Sequence, residues 1–484
     1  MSRLRLGWRL GHEGVEGIEL DLPHFCVHSW VLAASGSGKT AKVVADVIQL
    51  LRLQRSSVAC CVIDMKGEMV ELLLALLALL EPEDRPSPRE ICSIAPGLGW
   101  GVPLNVLARI EGLPERTQAA VVVDLLDGLS ENSIGPRMAA IARWLVRAVM
   151  ALEGSLLDVH RCLTDDAFVA RVAEVVPNAE VRHYLTVTYH KERAESLQAL
   201  RARIENLLAN DACRQMLCAR GSIAPSLLLE SRLSLVNLAL GELGGTRVAR
   251  FIGGWLFTLV SAAIFRRDAT TPKPHAYVVV DEFQELVRAA DDIADVLARA
   301  RSAKVSLCLI NQYSSQIRSV SPSLYDGVVA NVLLKCFLAP SVSDLASLGE
   351  GVLPLSGRMI DLERPDRLLS EHEERRRFQR YVEQHLGPRR GILYHKGTGR
   401  KAELFSTLTL PIERARAAWA GLPEAEKDAW QRGAFGCRLH ELPQAEVNFP
   451  AETADAPAPA ESPVPRAPSP RFPRGRAGRL RLEP

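Results

Sequence analysis

The sequence lacks four things, and each absence narrows the class of protein it can be. Ten cysteines are present, yet no two stand as a Cys-x-x-Cys pair. Cys60 and Cys61 are adjacent and the rest are scattered. That is the pattern of reduced, buried thiols in a cytosolic protein, and it speaks against a disulfide framework. No apolar run reaches the roughly 20 residues that span a bilayer. The stretch 72–80 stops at Glu81-Pro82, and 251–265 is bounded by Arg250 and Arg266-Arg267 and interrupted by Thr258 and Ser261. Both read as buried helices. The N-terminus, Met-Ser-Arg-Leu-Arg-Leu-Gly-Trp, carries no apolar core of a signal peptide. The expected location is the cytoplasm, with peripheral attachment to the inner membrane through a partner as the alternative. An excess of charge is also missing. Lysines and arginines number 59 against 57 acidic residues, so nucleic-acid binding has no whole-chain support and would need a local basic surface.

What is present reads as a soluble globular chain, with 47% hydrophobic and 24% charged residues in 484. This length exceeds one ordinary core, so two structured units are expected, one of them dominant. Short apolar strands are predicted at 4–8, 15–20, 27–32, 58–63, 91–94, 233–238, 277–280, 305–310, 332–338 and 391–394. Helical spacing fills 41–53 and 69–80 between them. Strands alternating with helices imply an α/β fold whose mostly parallel sheet is covered on both faces. Residues 106–222 change character, with helical stretches at 117–126, 137–152 and 191–208 and few strand signals. The predicted organisation is therefore a core in two parts, 1–105 and 223–410, with an all-α insertion at 106–222. A short helical extension follows at 411–449. The tail 450–484, rich in Pro, Ala and Ser with arginines at 471, 474, 476, 479 and 481, is predicted to be disordered. It is either a solvated terminus or a basic arm for nucleic acid or a partner.

The chemistry gathers at strand ends. Ser35-Gly36-Ser37-Gly38-Lys39-Thr40 lies between a buried strand and an amphipathic helix, the context that makes such a loop a phosphate cradle. Gly36 and Gly38 allow the backbone N–H groups to turn inward. The following helix adds its positive end. Lys39 supplies a point charge for the β- and γ-phosphates, and the Thr40 hydroxyl is a ligand for Mg²⁺. The pattern departs at one place, since Ala33 stands where the first glycine of GxxxxGK[ST] belongs.

A second strand, Tyr277-Val278-Val279-Val280, runs into Asp281-Glu282. Asp281 is placed to hold Mg²⁺ through water, and Glu282 to orient or deprotonate the attacking water. The competing reading of Asp-Glu is a helix cap. Gln312, ending the next apolar strand, is a candidate for contact with the γ-phosphate or the water. Asp64 and Lys66 follow another strand and are either near the nucleotide or part of a solvated turn. His24, Cys26 and His28 alternate as metal ligands could on one strand face. No fourth ligand is nearby, so a packed strand is the expectation and Mg²⁺ the one metal predicted.

These elements together resemble the HerA/FtsK superfamily of hexameric motor ATPases, and within it the TraG/TraD-like coupling ATPases of conjugation and type IV secretion. The resemblance runs in order over residues 10–410. It rests on the phosphate loop, Val62-Ile63-Asp64-Met65-Lys66-Gly67-Glu68, Leu238-Ala239-Leu240-Gly241-Glu242-Leu243-Gly244, Val279-Val280-Asp281-Glu282-Phe283-Gln284 and Ile310-Asn311-Gln312-Tyr313-Ser314-Ser315-Gln316. It implies a RecA-like core, a ring of six, ATP sites between subunits and DNA in the central channel. It also implies an arginine reaching in from the neighbouring subunit, for which Arg301 is the candidate and Arg299 the substitute. The chain departs from the coupling proteins in having no N-terminal transmembrane helices, which argues against constitutive anchoring.

The expected function is an ATP-driven DNA translocase. Two alternatives stand beside it. One is an ATP-gated recruitment module docking a relaxase, nuclease, secretion-channel or secreted protein without pulling DNA. The other is the motor half of a helicase–nuclease pair.

Overall fold

A computed structural model describes residues 3–10, 16–53, 58–130, 133–192, 194–239, 245–267, 273–287, 293–345, 347, 353, 368–399 and 401–449. The tail at 450–484, most of the glycine-rich stretch 238–244 and the stretch after residue 345 up to 367 fall largely outside these residues. Residues Met1–Asn448 form one compact unit.

Thirteen strands occur among the described residues: β1 Arg3–Arg9, β2 Gly17–Asp21, β3 Ser29–Ala33, β4 Val58–Asp64, β5 Ile91–Ile94, β6 Trp100–Gly101, β7 Leu233–Asn237, β8 His275–Val280, β9 Val305–Asn311, β10 Leu334–Leu338, β11 Arg390–His395, β12 Glu403–Ser406 and β13 Cys437–Arg438. Eleven make one sheet in the order β2-β1-β12-β11-β10-β3-β9-β8-β4-β7-β5, and β6 pairs with β13 apart from it. From β10 to β5 every pairing is parallel. From β10 outward to β2 every pairing is antiparallel.

The parallel half follows from its composition. β3, β4, β7, β9 and β10 are buried at every position, as strands covered on both faces must be, and so they are mostly apolar, with Ser29, Ser234, Ser306 and Lys335 as buried polar exceptions and Asp64, Asn237 and Asn311 at the strand ends. The helices Lys39–Leu53 and Glu68–Leu77 cover one face, placing Val43, Val47, Leu50, Leu73 and Leu77 against Val31, Cys60, Val62 and Ile310 in a single cluster. Each fully buried large side chain in this interface contributes about 1.5–3 kcal/mol.

Helix Thr246–Arg266 is long and apolar enough to cross a membrane, but the apolar window is 78% buried inside the fold. Phe251, Ile252, Trp255, Leu256 and Leu259 are enclosed, and Gly253 and Gly254 let Leu286 and Leu125 approach closely. It is a core helix in this fold, as the stretch 251–265 was expected to be.

Between 106 and 222 every described helix or strand is helical, isolated bridges aside. The main ones are Glu115–Asp127, Pro136–Ala151, Leu156–Cys162, Asp166–Val175, Ala194–Leu208 and Asp211–Leu217. A bridge between Leu104 and Ser222 closes the base of this segment. Helices Ile412–Ala420 and Glu424–Arg432 follow β12, and the first packs on Glu68–Leu77.

Candidate functional site

The phosphate loop leaves the C-terminal end of β3 and closes into helix Lys39–Leu53. Gly36 and Gly38 have φ values of 75° and 98°, a region that side chains with a Cβ disfavour. Ala33 does not need that freedom. It is the last residue of β3, fully buried, in register with Leu338 of β10. The departure from the glycine pattern thus falls on regular strand backbone, where a methyl group is accommodated. Ser37 tightens the loop, its hydroxyl donating to the Ala34 carbonyl at 2.6 Å.

Three further strand ends meet this loop. Lys39 donates from Nζ to Asp281 Oδ1 at 2.8 Å and lies 3.5 Å from Glu282 Oε1. Glu282 Oε1 also accepts from Gln312 Nε2 at 2.7 Å and sits 3.2 Å from Lys66 Nζ, while its Oε2 accepts from Gln284 Nε2 at 3.0 Å. Gln312 is held in place by its neighbours. Trp30 of β3 donates to Asn311 Oδ1 at 2.6 Å, and Gln316 Oε1 accepts the Gln312 amide at 3.0 Å.

Glu282 occupies the capping position of helix Phe283–Leu286, but its side chain makes no capping bond. The backbone there is left-handed, with φ 46° and ψ 45°. A non-glycine residue in that region costs on the order of 1 kcal/mol. The strain turns the carboxylate toward Lys39 and Gln312. The capping alternative for Asp281-Glu282 therefore describes the position of Glu282 but not where its side chain goes.

The two carboxyls are held differently. Burial of Asp281 pushes its pKa up, against the pull of Lys39. Burial opposes ionisation of Glu282 as well, but Lys39, Gln312, Gln284 and Lys66 together leave its pKa below the usual value. Glu282 is accordingly an ionised, hydrogen-bonded carboxylate at neutral pH.

Asp64 and Lys66 separate in role. Asp64 accepts from the backbone amides of Lys66, Met69 and Val70 at 2.7–3.0 Å, which fastens the start of helix Glu68–Leu77. Burial and the nearby Asp281 raise its pKa to about 6 despite those donors. Its carboxylate is spent on the scaffold, whereas Lys66 joins the Glu282 cluster. The three alternating residues near β3 also diverge. His28 donates from Nε2 to the Leu297 carbonyl at 2.7 Å and accepts at Nδ1 from the Leu307 amide at 3.1 Å, while His24 bonds Asp21.

Arg299 and Arg301 lie in the last turn of helix Ile293–Ser302, exposed. Arg301 reaches the Asn331 carbonyl at 3.4 Å. Neither lines the cavity of its own chain.

That cavity measures about 880 Å³ and contains Ser35, Gly36, Gly38, Lys39, Thr40, Asp281 and Gln312, a volume in the range of nucleotide-sized ligands. Other walls were missed from the sequence. Pro388 and Arg389 precede β11, and Ile412, Arg416, Trp419 and Gln431 come from the two helices after β12. A Pro-Arg pair ahead of a short strand was the sole local signal for the first of these, and the placement of the helices depends on packing that no local pattern announces.

The donors suit Mg²⁺. Thr40 and Asp281 both line the cavity, the first bringing a hydroxyl and the second a buried carboxylate. No group of three or more His, Cys, Asp or Glu residues is arranged as a metal cage among the described residues. A site with few protein ligands is what Mg²⁺ takes when phosphates and water complete its shell.

A phosphate loop at the end of a central parallel strand, facing a carboxylate pair two strands away, defines the RecA-like P-loop NTPase fold. Among solved structures the chain is similar to the plasmid coupling protein TrwB in complex with ADP and Mg²⁺. The identity is 15% and the TM-score 0.53, covering 84% of this chain and 94% of that one. The unbound form of the conjugative coupling protein TrwB gives 14% identity and a TM-score of 0.50, over 81% and 86%. VirB4 of Thermoanaerobacter pseudethanolicus gives 16% identity and a TM-score of 0.48, over 85% and 98%. The likeness to TrwB shows a shared fold. No protein-family model matches the sequence, and no curated protein matches it either.

Proposed function

We propose that this chain is an ATP-hydrolysing motor of the conjugation and type IV secretion kind, working with Mg²⁺ and moving DNA through a ring of subunits. The observation that carries the ATPase reading is the convergence of Lys39, Asp281, Glu282 and Gln312 on one phosphate loop. The binding of ADP and Mg²⁺ by TrwB, which shares the fold, supports the choice of ligands.

The roles follow from the contacts. The loop amides and Lys39 take the phosphate chain, so Lys39 exchanges its Asp281 partner for phosphate oxygens. Thr40 and Asp281 would hold Mg²⁺, which supplies charge neutralisation on the β- and γ-oxygens. Glu282, ionised and aimed by Gln312, Gln284 and Lys66, orients a water molecule and accepts its proton. Tight exclusion of water by the buried strand ends strengthens each of these interactions. An arginine supplied in trans completes the charge stabilisation, and the exposure of Arg301 in its own chain suits that role. DNA as the load and six as the number of subunits rest on the resemblance set out from the motifs.

ATP turnover is the test, with and without DNA, for wild type and Lys39→Ala. Stimulation by DNA that weakens with rising salt supports translocation. Turnover that ignores DNA favours the recruitment alternative, and no turnover under any condition would sink the motor reading. Mixing Arg301→Ala with Lys39→Ala subunits tests the trans arginine. Partial recovery of activity is expected, because some mixed interfaces carry neither defect; no recovery at any ratio assigns Arg301 elsewhere.

A further inference from the structure

We propose that Arg389 is a phosphate-chain ligand acting within its own subunit, clasping the diphosphate part of the nucleotide from the side of the loop opposite the carboxylates. The proposal rests on the nucleotide reading above and adds to it a residue that no motif contains.

Three observations lead to it. Arg389 is tied to the phosphate loop through its backbone, its amide donating to the Ser37 carbonyl at 2.8 Å and its carbonyl accepting from Thr407 at 2.8 Å. Its stem lies on the loop as well, since a Cβ at Gly38 would stand 3.1 Å from Arg389 Cγ. Finally, the residue is left-handed, with φ 65°. Glycine would be at ease there, yet the position holds an arginine, preceded by Gly387-Pro388. Strain held in place by two backbone bonds at a ligand cavity is a mark of a positioned side chain.

The charges divide the cavity. Lys39 and Lys66 are both engaged by Asp281 or Glu282. Arg389 lines the same cavity and is exposed, and no carboxylate pairs with it among the described residues. Topology sets it apart from the acidic cluster. β9 and β8, which bring Gln312 and Asp281-Glu282, lie on one side of β3, while β10 and β11 lie on the other. A guanidinium entering from that second side meets oxygens of the phosphates seated on the loop amides, where its planar fork can bind two oxygens at once. Hydrolysis takes place on the opposite side. Arg389 therefore serves binding of ADP and ATP alike, and not recognition of the γ-phosphate.

Arg389→Gly is the informative variant, because glycine accepts the same φ and removes only the side chain. Binding of fluorescent ADP and ATP with Mg²⁺ is measured on the full chain, beside the melting temperature of the protein alone. Arg389→Gly is expected to melt at or above wild type and to bind both nucleotides about tenfold or more weakly, the worth of a charged hydrogen-bond pair. Arg389→Lys, which keeps the charge but not the fork, should recover part of the loss. Unchanged affinity in Arg389→Gly while wild type binds would overturn the proposal and leave the nucleotide reading intact. A loss confined to ATP would make Arg389 a γ-phosphate sensor instead. A lowered melting temperature alongside weak binding would assign it to the scaffold. Failure of wild type to bind either nucleotide would overturn both readings.

Discussion

Lys39 and Lys42 stand three residues apart at the start of one helix, and each is paired with an aspartate. Lys39 meets Asp281 from a distant strand at 2.8 Å, at the wall of the cavity. Lys42 meets Asp46, one turn along the same helix, at 2.7 Å, with both side chains sealed beneath the sheet near Cys308 and Cys336. Burial works against both lysines, and the facing carboxylate keeps each one charged. What differs is access. The Lys39 pair opens onto the cavity, where in the proposed function a phosphate takes the place of the carboxylate. The Lys42 pair has no competitor within reach, and its charge is a fixed part of the core.

This contrast can be broken by experiment. The largest effect belongs to Lys39→Ala, for which turnover should fall by about a thousandfold while the melting temperature stays near that of wild type. A fall in stability of the same size as the loss of function would erase the distinction. Next comes Lys42→Met. It strands Asp46 without a partner in a dry core and should cost about 3–5 kcal/mol in chemical denaturation. Replacing Asp46 with leucine in the same chain should return most of that, since an apolar pair of similar volume is often neutral or better. If Lys42→Met unfolds no more easily than wild type, the pair is not the scaffold element described.

A third buried group sharpens the scaffold side by pH. Burial lowers the His28 pKa from its ordinary value to about 4, against a hydrogen bond to Leu297 that favours charge. The unfolded chain then binds the proton more readily than the folded one between about pH 6.5 and 4. Stability is full above pH 6.5 and drains as the pH falls through that window, by about 3 kcal/mol for His28 alone. Melting curves of wild type and His28→Asn across this range check it. The slope should flatten in the variant, and an identical slope would remove His28 from the account.

Much of this architecture is legible from residue type. The apolar runs at 58–63, 277–280 and 305–310 are strands because burial on both faces favours apolar residues, with Ser306 the polar exception, and they appear as β4, β8 and β9. The loop, Asp281 and Glu282 are legible as motif residues, and the structure brings Lys39 of the loop together with both carboxylates. Other features are set by partners far away in sequence. β12 is four residues, Glu-Leu-Phe-Ser, made a strand by β11 and β1 on either side. Helix Glu371–His385 is mostly charged, with Glu374 and Val382 its buried residues, so it lacks an apolar stripe; its start is written in the Ser370–Glu373 capping box. The strain at Glu282 and the approach of Arg389 to Gly38 are consequences of assembled geometry that no spacing encodes. Asp64 shows both sides: it lines the cavity, as its strand end suggests, while its carboxylate also holds the start of a helix, which no spacing announces.

The place of β12 has a consequence for how the protein comes to be. The β1–β2 ribbon joins the large sheet through β12, some four hundred residues further along the chain. The parallel strands around the phosphate loop can associate earlier, but the edge of β1 turned away from β2, at Trp8 and Arg9, has no partner until Phe405 and Ser406 have left the ribosome. Pairings this remote in sequence are slow to close. During synthesis β1 therefore presents an open edge, a template for pairing with other chains. Its alternating Arg3, Arg5 and Arg9 put charge along that edge for the interval in which it has nothing to bind.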